Sequence, residues 1–178
     1  MCIIDSLEMV WSNLALQWCN DLPATLGDLH RVLKTDGLLM FSTFGPDTLK
    51  ELRLAFDGVD RHNHLNRFAD MHDIGDMLVQ AGFADPVMDM EYLTLTYDDL
   101  HGVLQDLKAI GAQNATAGRG RGLMGKNSWA HLVENYERMR KDGKLPATYE
   151  VVYGHAWKPQ ARTTRDGAAI IKTSFKLK

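Results

Sequence analysis

A strand–helix–strand pattern packed into residues 7–44 constrains the fold of this chain more than any other feature. "LEMVWSNL", residues 7–14, reads as a short buried strand with the polar pair Ser12 and Asn13 at its carboxyl end. "DLPATLGDLHRVLK", residues 21–34, reads as a helix. Asp21 offers a cap and Pro23 sits in the first turn, while Leu22, Leu26, Leu29, Val32 and Leu33 recur at helical spacing. Thr35-Asp36-Gly37 is expected to end this helix, with the glycine taking the positive φ that a stop prefers. "LLMFSTF", residues 38–44, is an apolar run short enough for a fully buried strand. So short a crossover joins parallel strands, and a parallel sheet carries helices on both faces. Ligands bind just past the carboxyl ends of such strands, here at Ser12-Asn13 and Ser42-Thr43.

Downstream, "PDTLKELRLAF" (46–56) continues as a helix and "DGVDRHNHLNRF" as a loop. "DMHDIGDMLVQAG" is a helix capped by Asp70, with Ile74, Leu78 and Ala81 inward and Gly82 as its stop. "PVMDMEYLTLTY" (86–97) is strand-like. Asp98-Asp99 opens a helix carrying Leu100, Val103, Leu104, Leu107 and Ile110. A glycine-rich loop follows, and Ser128 is expected to cap a helix with Trp129, Leu132, Val133, Tyr136 and Met139 on one stripe. "ATYEVVYGHAWK" (147–158) reads as a closing strand at the sheet's edge, and the polar, basic residues 159–178 as a loosely held tail. The order is α/β at first, with two late strands and an antiparallel last one.

Composition narrows the function. The 178 residues carry a net charge of −3, which argues against nucleic acid as a partner. No apolar run approaches the roughly 18 residues that span a bilayer. The two cysteines, Cys2 and Cys19, form no C-x-x-C pair, and no secretory signal precedes them; free thiols in the cytoplasm are expected. Gly120 to Asn127 spells G-x-x-x-x-G-K-N, but a phosphate loop needs Ser or Thr after the lysine and a strand in front. His62, His64, His72 and Asp60 match no zinc spacing, so no metal is expected. Arg67 has the fork geometry to clamp a carboxylate, or it pairs with Asp70. Arg119 and Arg121, with Lys126, form a small basic cluster that suits an acidic partner or plain solvent. No nucleophile–base pair stands out.

These segments together resemble the S-adenosylmethionine-dependent methyltransferases, and within them the biotin-pathway malonyl-acyl-carrier-protein O-methyltransferases (the BioC type). "MVWSNLALQWCNDLPATLGDLHRVLK" is similar to the fourth strand and following helix of that family, and "GLLMFSTFGPDTLKEL" to the fifth strand and its exit. "HLNRFADMHDI", "LKAIGAQNATAGR" and "LPATYEVVYGHAWK" match later segments in the same order. The resemblance implies the C-terminal part of a class I, Rossmann-like, seven-stranded fold. Residues 1–158 would hold the equivalents of strands four to seven, with a helical lid near 98–141. The family's first three strands have no counterpart in this sequence. Neither does its glycine-rich cofactor loop, nor the acidic residue that grips the adenosine ribose.

The resemblance further implies methylation of the free carboxylate of malonyl-acyl carrier protein, with S-adenosyl-L-methionine as donor. Ser12, Asn13 and Leu14 would border the cofactor. Trp18 would wall the methyl-transfer chamber, and Arg67, Arg119 and Arg121 would meet substrate or carrier. A carboxylate is already ionised at neutral pH, so the mechanism is positional and calls for no catalytic base. With the cofactor loop absent, the chain by itself is expected to bind the donor very weakly. It would then serve as a carrier-binding module or as one half of a split enzyme. The unmatched first strand is expected to leave an open sheet edge that invites homodimerisation.

Overall fold

The structure, a computed structural model, describes residues 6–59, 68–109 and 125–160. Its strands are β1 (Leu7–Asn13), β2 (Leu33–Phe44), β3 (Ala84–Tyr97) and β4 (Leu145–Trp157). Its helices are α1 (Leu22–Val32), α2 (Lys50–Phe56), α3 (Met71–Gln80), α4 (Leu100–Ala109) and α5 (Lys126–Glu137). A single 3-10 turn, Leu16–Trp18, sits between β1 and α1. The strands form one sheet in the order β1-β2-β4-β3. β1 runs parallel to β2, while β4 runs antiparallel to both β2 and β3. The expected crossover and antiparallel last strand are both present. That last strand lies inside the sheet rather than at its edge, because β3 pairs with it along most of its length.

Local chemistry explains the helices. The Asp21 carboxylate accepts the Ala24 N–H at 2.9 Å at the start of α1, and Asp70 accepts the His72 N–H at 2.8 Å at the start of α3. Gly82, with φ +95°, closes the α3 exit. Leu26 of α1 with Ile74 and Leu78 of α3 pack on Leu39, Phe41, Val152 and Ala156 of the sheet to form one core. A second core joins Leu52 and Ala55 of α2, Val103 and Leu107 of α4 and Leu132 and Tyr136 of α5 to Leu145 and Ala147.

Several sequence expectations need correction. β1 is an exposed edge strand, because among the described residues it pairs only with β2. Helix α1 ends at Val32, so Thr35-Asp36-Gly37 lies within β2. The positive φ there belongs to Asp36 (+62°), not to Gly37. Gly37 is required for another reason: a Cβ on it would stand 2.7 Å from the Lys34 carbonyl oxygen. Helix α2 starts at Lys50 rather than at residue 46, after turns in which Leu49 takes φ +56°. Helix α5 starts at Lys126 behind Gly125, which places Ser128 inside the first turn where it caps nothing. The glycine-rich loop to residue 124, the histidine loop from 60 to 67 and the tail from 161 lie outside the described residues.

Candidate active site

The strand alternation assigns each side chain a face. Leu39, Phe41 and Thr43 of β2 are buried on the face that carries α1 and α3, whereas Leu38, Met40, Ser42 and Phe44 point the other way. The register aligns Trp11 and Asn13 of β1 with Met40 and Ser42, and Tyr153 of β4 with Ser42. β3 and β4 run on past the carboxyl end of β2 as a two-stranded ribbon, since residues 145–150 of β4 pair with β3 alone.

An apolar cavity of about 330 Å³ sits where that ribbon leaves the sheet. Its walls are Leu14 beyond β1, Phe44 at the end of β2, Leu93, Leu95 and Tyr97 of β3, and Tyr149 and Val151 of β4. Asp106 and Ala109 of α4 complete it. Among the described residues of this lining Asp106 is the charged one, and its Oδ2 accepts the Tyr97 hydroxyl at 3.0 Å. Burial pushes the Tyr97 phenol well above its ordinary range, and the Asp106 hydrogen bond adds to the shift. Burial likewise raises the Tyr149 phenol. Both therefore stay neutral hydrogen-bonding groups at physiological pH.

The strand ends beside the cavity are tied together. The Ser42 hydroxyl donates to Asn13 Oδ1 at 2.5 Å, and the Leu14 N–H donates to Ser42 Oγ at 3.1 Å and to the Ser42 carbonyl at 3.0 Å. The Gln17 amide donates to the Leu14 carbonyl at 2.5 Å. This network holds Leu14 at φ +47°, a left-handed backbone costly for a leucine by about 1–2 kcal/mol. Strain at a strand end that lines a cavity fits a position set by function.

The loop after β2 is locked just as firmly. The buried Glu150 carboxylate accepts the Asp47 N–H at 2.7 Å, and a Cβ on Gly45 would stand 2.3 Å from Glu150 Cδ. Buried Glu51 accepts the Thr148 N–H at 3.0 Å and also the Thr148 hydroxyl.

Of the candidates read from sequence, the structure brings Leu14 to the cavity and sets Asn13 beside it. Ser12 pairs with Phe41 on the opposite, helix-covered face. Trp18 stands exposed at the end of the 3-10 turn and takes no part in the lining. Arg67, Arg119 and Arg121 lie outside the described residues. Phe68, the residue after Arg67, does pack at a tilt against Phe44 of the cavity wall, with ring centroids 5.8 Å apart. Sequence reasoning missed Phe44, Leu93, Leu95, Tyr97, Asp106 and Tyr149. The one available signal was that 86–97 and 147–158 both read as strands; their pairing register was not visible.

Comparison with known proteins follows the geometry. A methyltransferase-domain family model matches residues 4–41, which cover β1, α1 and most of β2. The malonyl-[acyl-carrier protein] O-methyltransferase of Gallionella capsiferriformans is 82% identical over 174 residues, spanning 98% of this chain and 60% of that protein. The enzyme of the same name from Laribacter hongkongensis is 64% identical over 170 residues, spanning 94% of this chain and 57% of that protein. The chain thus spans well under two thirds of the length of these curated relatives. Among solved structures, the YcgJ protein of Bacillus subtilis superposes with a TM-score of 0.56 at 12% identity, covering 89% of this chain and 66% of that one. A candidate methyltransferase of Bacillus halodurans superposes at 0.55 and 16% identity, covering 89% and 73%. At such identities the structural likeness speaks to the fold, which is the mixed α/β, Rossmann-like arrangement expected from the sequence.

Proposed function

Since the chain is a part-length relative of the malonyl-[acyl-carrier protein] O-methyltransferases, we propose that it carries the acceptor side of that reaction: O-methylation of the free carboxylate of a malonyl thioester on acyl carrier protein. The observation that carries this reading is the apolar cavity at the carboxyl ends of the parallel strands, where a Rossmann-like sheet binds its ligands. S-adenosyl-L-methionine, when bound, supplies an electrophilic methyl group on a positively charged sulfur. Transfer to a carboxylate forms a C–O bond and breaks a C–S bond, leaving the electron pair on sulfur, so a negative and a positive charge cancel.

The residues suit that charge balance. A carboxylate drawn against the apolar wall of Phe44, Leu93, Leu95, Tyr149 and Val151 sheds part of the hydration that would blunt its nucleophilicity. Neutral Tyr97 and Tyr149 offer hydroxyls without a base, and none is required. The donor fits this wall in part. Leu14 and Phe44 provide apolar contact for its methyl-bearing end, and Asn13 and Ser42 supply an amide and a hydroxyl nearby. The Glu150 carboxylate, which lies against Gly45 at the end of β2, is engaged by the Asp47 N–H. Arg67 and Arg119 are assigned to the substrate carboxylate and the carrier. In support of Arg67, its chain neighbour Phe68 touches Phe44 of the cavity wall, and a guanidinium is suited to clamp a carboxylate. Helices α4 and α5 serve as the acceptor-side lid.

The test is an NMR titration of the chain with malonyl-acyl carrier protein. Amide signals of Phe44, Leu95 and Tyr149 should shift, and Arg119→Ala should weaken binding by roughly tenfold, as loss of a charge-assisted contact does. Absence of any shift at the cavity would overturn the reading.

A further inference from the structure

Among the described residues of the cavity lining, the polar side-chain atoms are the phenol oxygens of Tyr97 and Tyr149 and the Asp106 carboxylate. A carboxylate only accepts hydrogen bonds, and a phenol has a single proton to give. Tyr97 donates its proton to Asp106 Oδ2 at 3.0 Å. Tyr149 in turn hydrogen-bonds Tyr97. With the Tyr97 proton already engaged, Tyr149 is the donor of that second bond. Both protons therefore run along one chain toward Asp106. The chain leaves a ligand only lone pairs, on the two phenol oxygens and on the second carboxylate oxygen. Burial keeps both phenols protonated at physiological pH, which fixes the direction of the chain.

These acceptors gather at one end of the cavity. Phe44 pairs with Val151 and Leu93 with Tyr149, whereas Tyr97 stands four residues further along β3, opposite Leu145. Leu14 and Phe44 mark the strand-end side of the chamber, and Tyr97 with Asp106 of α4 the other. An anion placed against Tyr97 and Asp106 would meet lone pairs and a like charge, and would receive no proton from these side chains. An N–H placed there would meet acceptors.

We propose that the Tyr149–Tyr97–Asp106 chain is a subsite that reads a hydrogen-bond donor: it receives an amide N–H of the arm that links a thioester to its carrier protein. By the same chemistry it turns the anionic end of the acyl group away, toward Leu14 and Phe44. The acyl group then enters in one direction, with its carboxylate at the strand ends and its thioester facing α4. Asp106 is a positioning residue here, acting through Tyr97. The acceptor character follows from the proton count; the identity of the ligand rests on the reading of the cavity as the seat of a carrier-bound thioester.

The experiment titrates the 178-residue chain, followed by NMR, with malonyl- and acetyl-N-acetylcysteamine and with the same two thioesters methylated on the amide nitrogen. Methylation removes the N–H and keeps the carbonyl. The N–H forms should bind roughly tenfold more tightly than their N-methyl counterparts, with shifts at Tyr97 and Tyr149. Tyr97→Phe deletes one hydroxyl, breaks the chain and should abolish the preference. Asp106→Asn alters an exposed side chain that can then turn a donor toward Tyr97 and reverse the chain. It should reduce the preference too, and it serves if Tyr97→Phe fails to fold. Tyr153→Phe deletes a tyrosine–carboxylate bond to Glu91 outside the cavity and should retain the preference. Equal binding of N–H and N-methyl forms, a preference untouched by both cavity variants, or no binding of either N–H thioester would overturn the proposal. Equal binding with shifts at Phe44 on adding the malonyl forms would do so while leaving the carboxylate chamber intact. Conversely, an amide preference in both pairs with no affinity gained from the malonyl carboxylate would uphold the subsite and contradict the chamber.

Discussion

At the scale of single residues, backbone chemistry concentrates where the chain must turn against its own preferences. Asp36 carries the left-handed backbone before the main run of β2, and its N–H donates to the Lys158 carbonyl at 2.8 Å. Asp tolerates that conformation better than most residues. Gly37 beside it is needed for space, because the Lys34 carbonyl would meet any Cβ at 2.7 Å. Gly37→Ala should therefore destabilise the fold by about 2 kcal/mol through a forced backbone shift, read from a lower urea midpoint with an unchanged slope. The sequence signalled a turn here but not which residue bore the positive φ, since Asp-Gly is compatible with either. Leu14 was legible for a different reason. The resemblance to the methyltransferases set it beside the cofactor, whereas the strand-end rule pointed only to Ser12-Asn13 and Ser42-Thr43.

At the scale of elements, helices were more legible than the sheet. Helices α1 and α3 declare themselves through caps and an apolar stripe, both local in sequence. The strands announce composition but not position. Met9-Val10-Trp11 reads as part of a buried strand yet lies on an exposed edge, and β4 reads as a last strand although it lies between β2 and β3. Tyr149 meets Phe44 at a centroid distance of 5.7 Å only because of the antiparallel register, which no spacing in the sequence reveals.

The helical layer over the ribbon has its own chemistry. The Tyr136 hydroxyl donates to the Pro146 carbonyl at 2.9 Å, so Tyr136→Phe should cost about 1 kcal/mol in thermal or urea unfolding. Burial raises the phenols of Tyr97, Tyr136 and Tyr149 above the ordinary value near 10. Below that value both folded and unfolded chains hold these protons. Above it the unfolded chain releases them first, so stability should fall as pH rises past 10. Absorbance at the phenolate band should accordingly lag in the folded chain and jump on unfolding.

At the scale of the whole molecule, one core packs α1 and α3 on one face of the sheet, and the other joins α2, α4 and α5 to the ribbon of β3 and β4. The second core ends at the cavity. The site proposed at the strand ends is an apolar chamber for an anionic acceptor. The most direct test measures binding of malonyl-acyl carrier protein to the chain by calorimetry, with and without Leu95→Asp. Leu95 lines the cavity yet is half exposed, so the variant should fold. Binding by the parent chain, weakened roughly tenfold or more when Leu95→Asp sets a second negative charge in the wall, is the predicted result. Binding unaltered in Leu95→Asp would contradict entry of the malonyl carboxylate into this cavity.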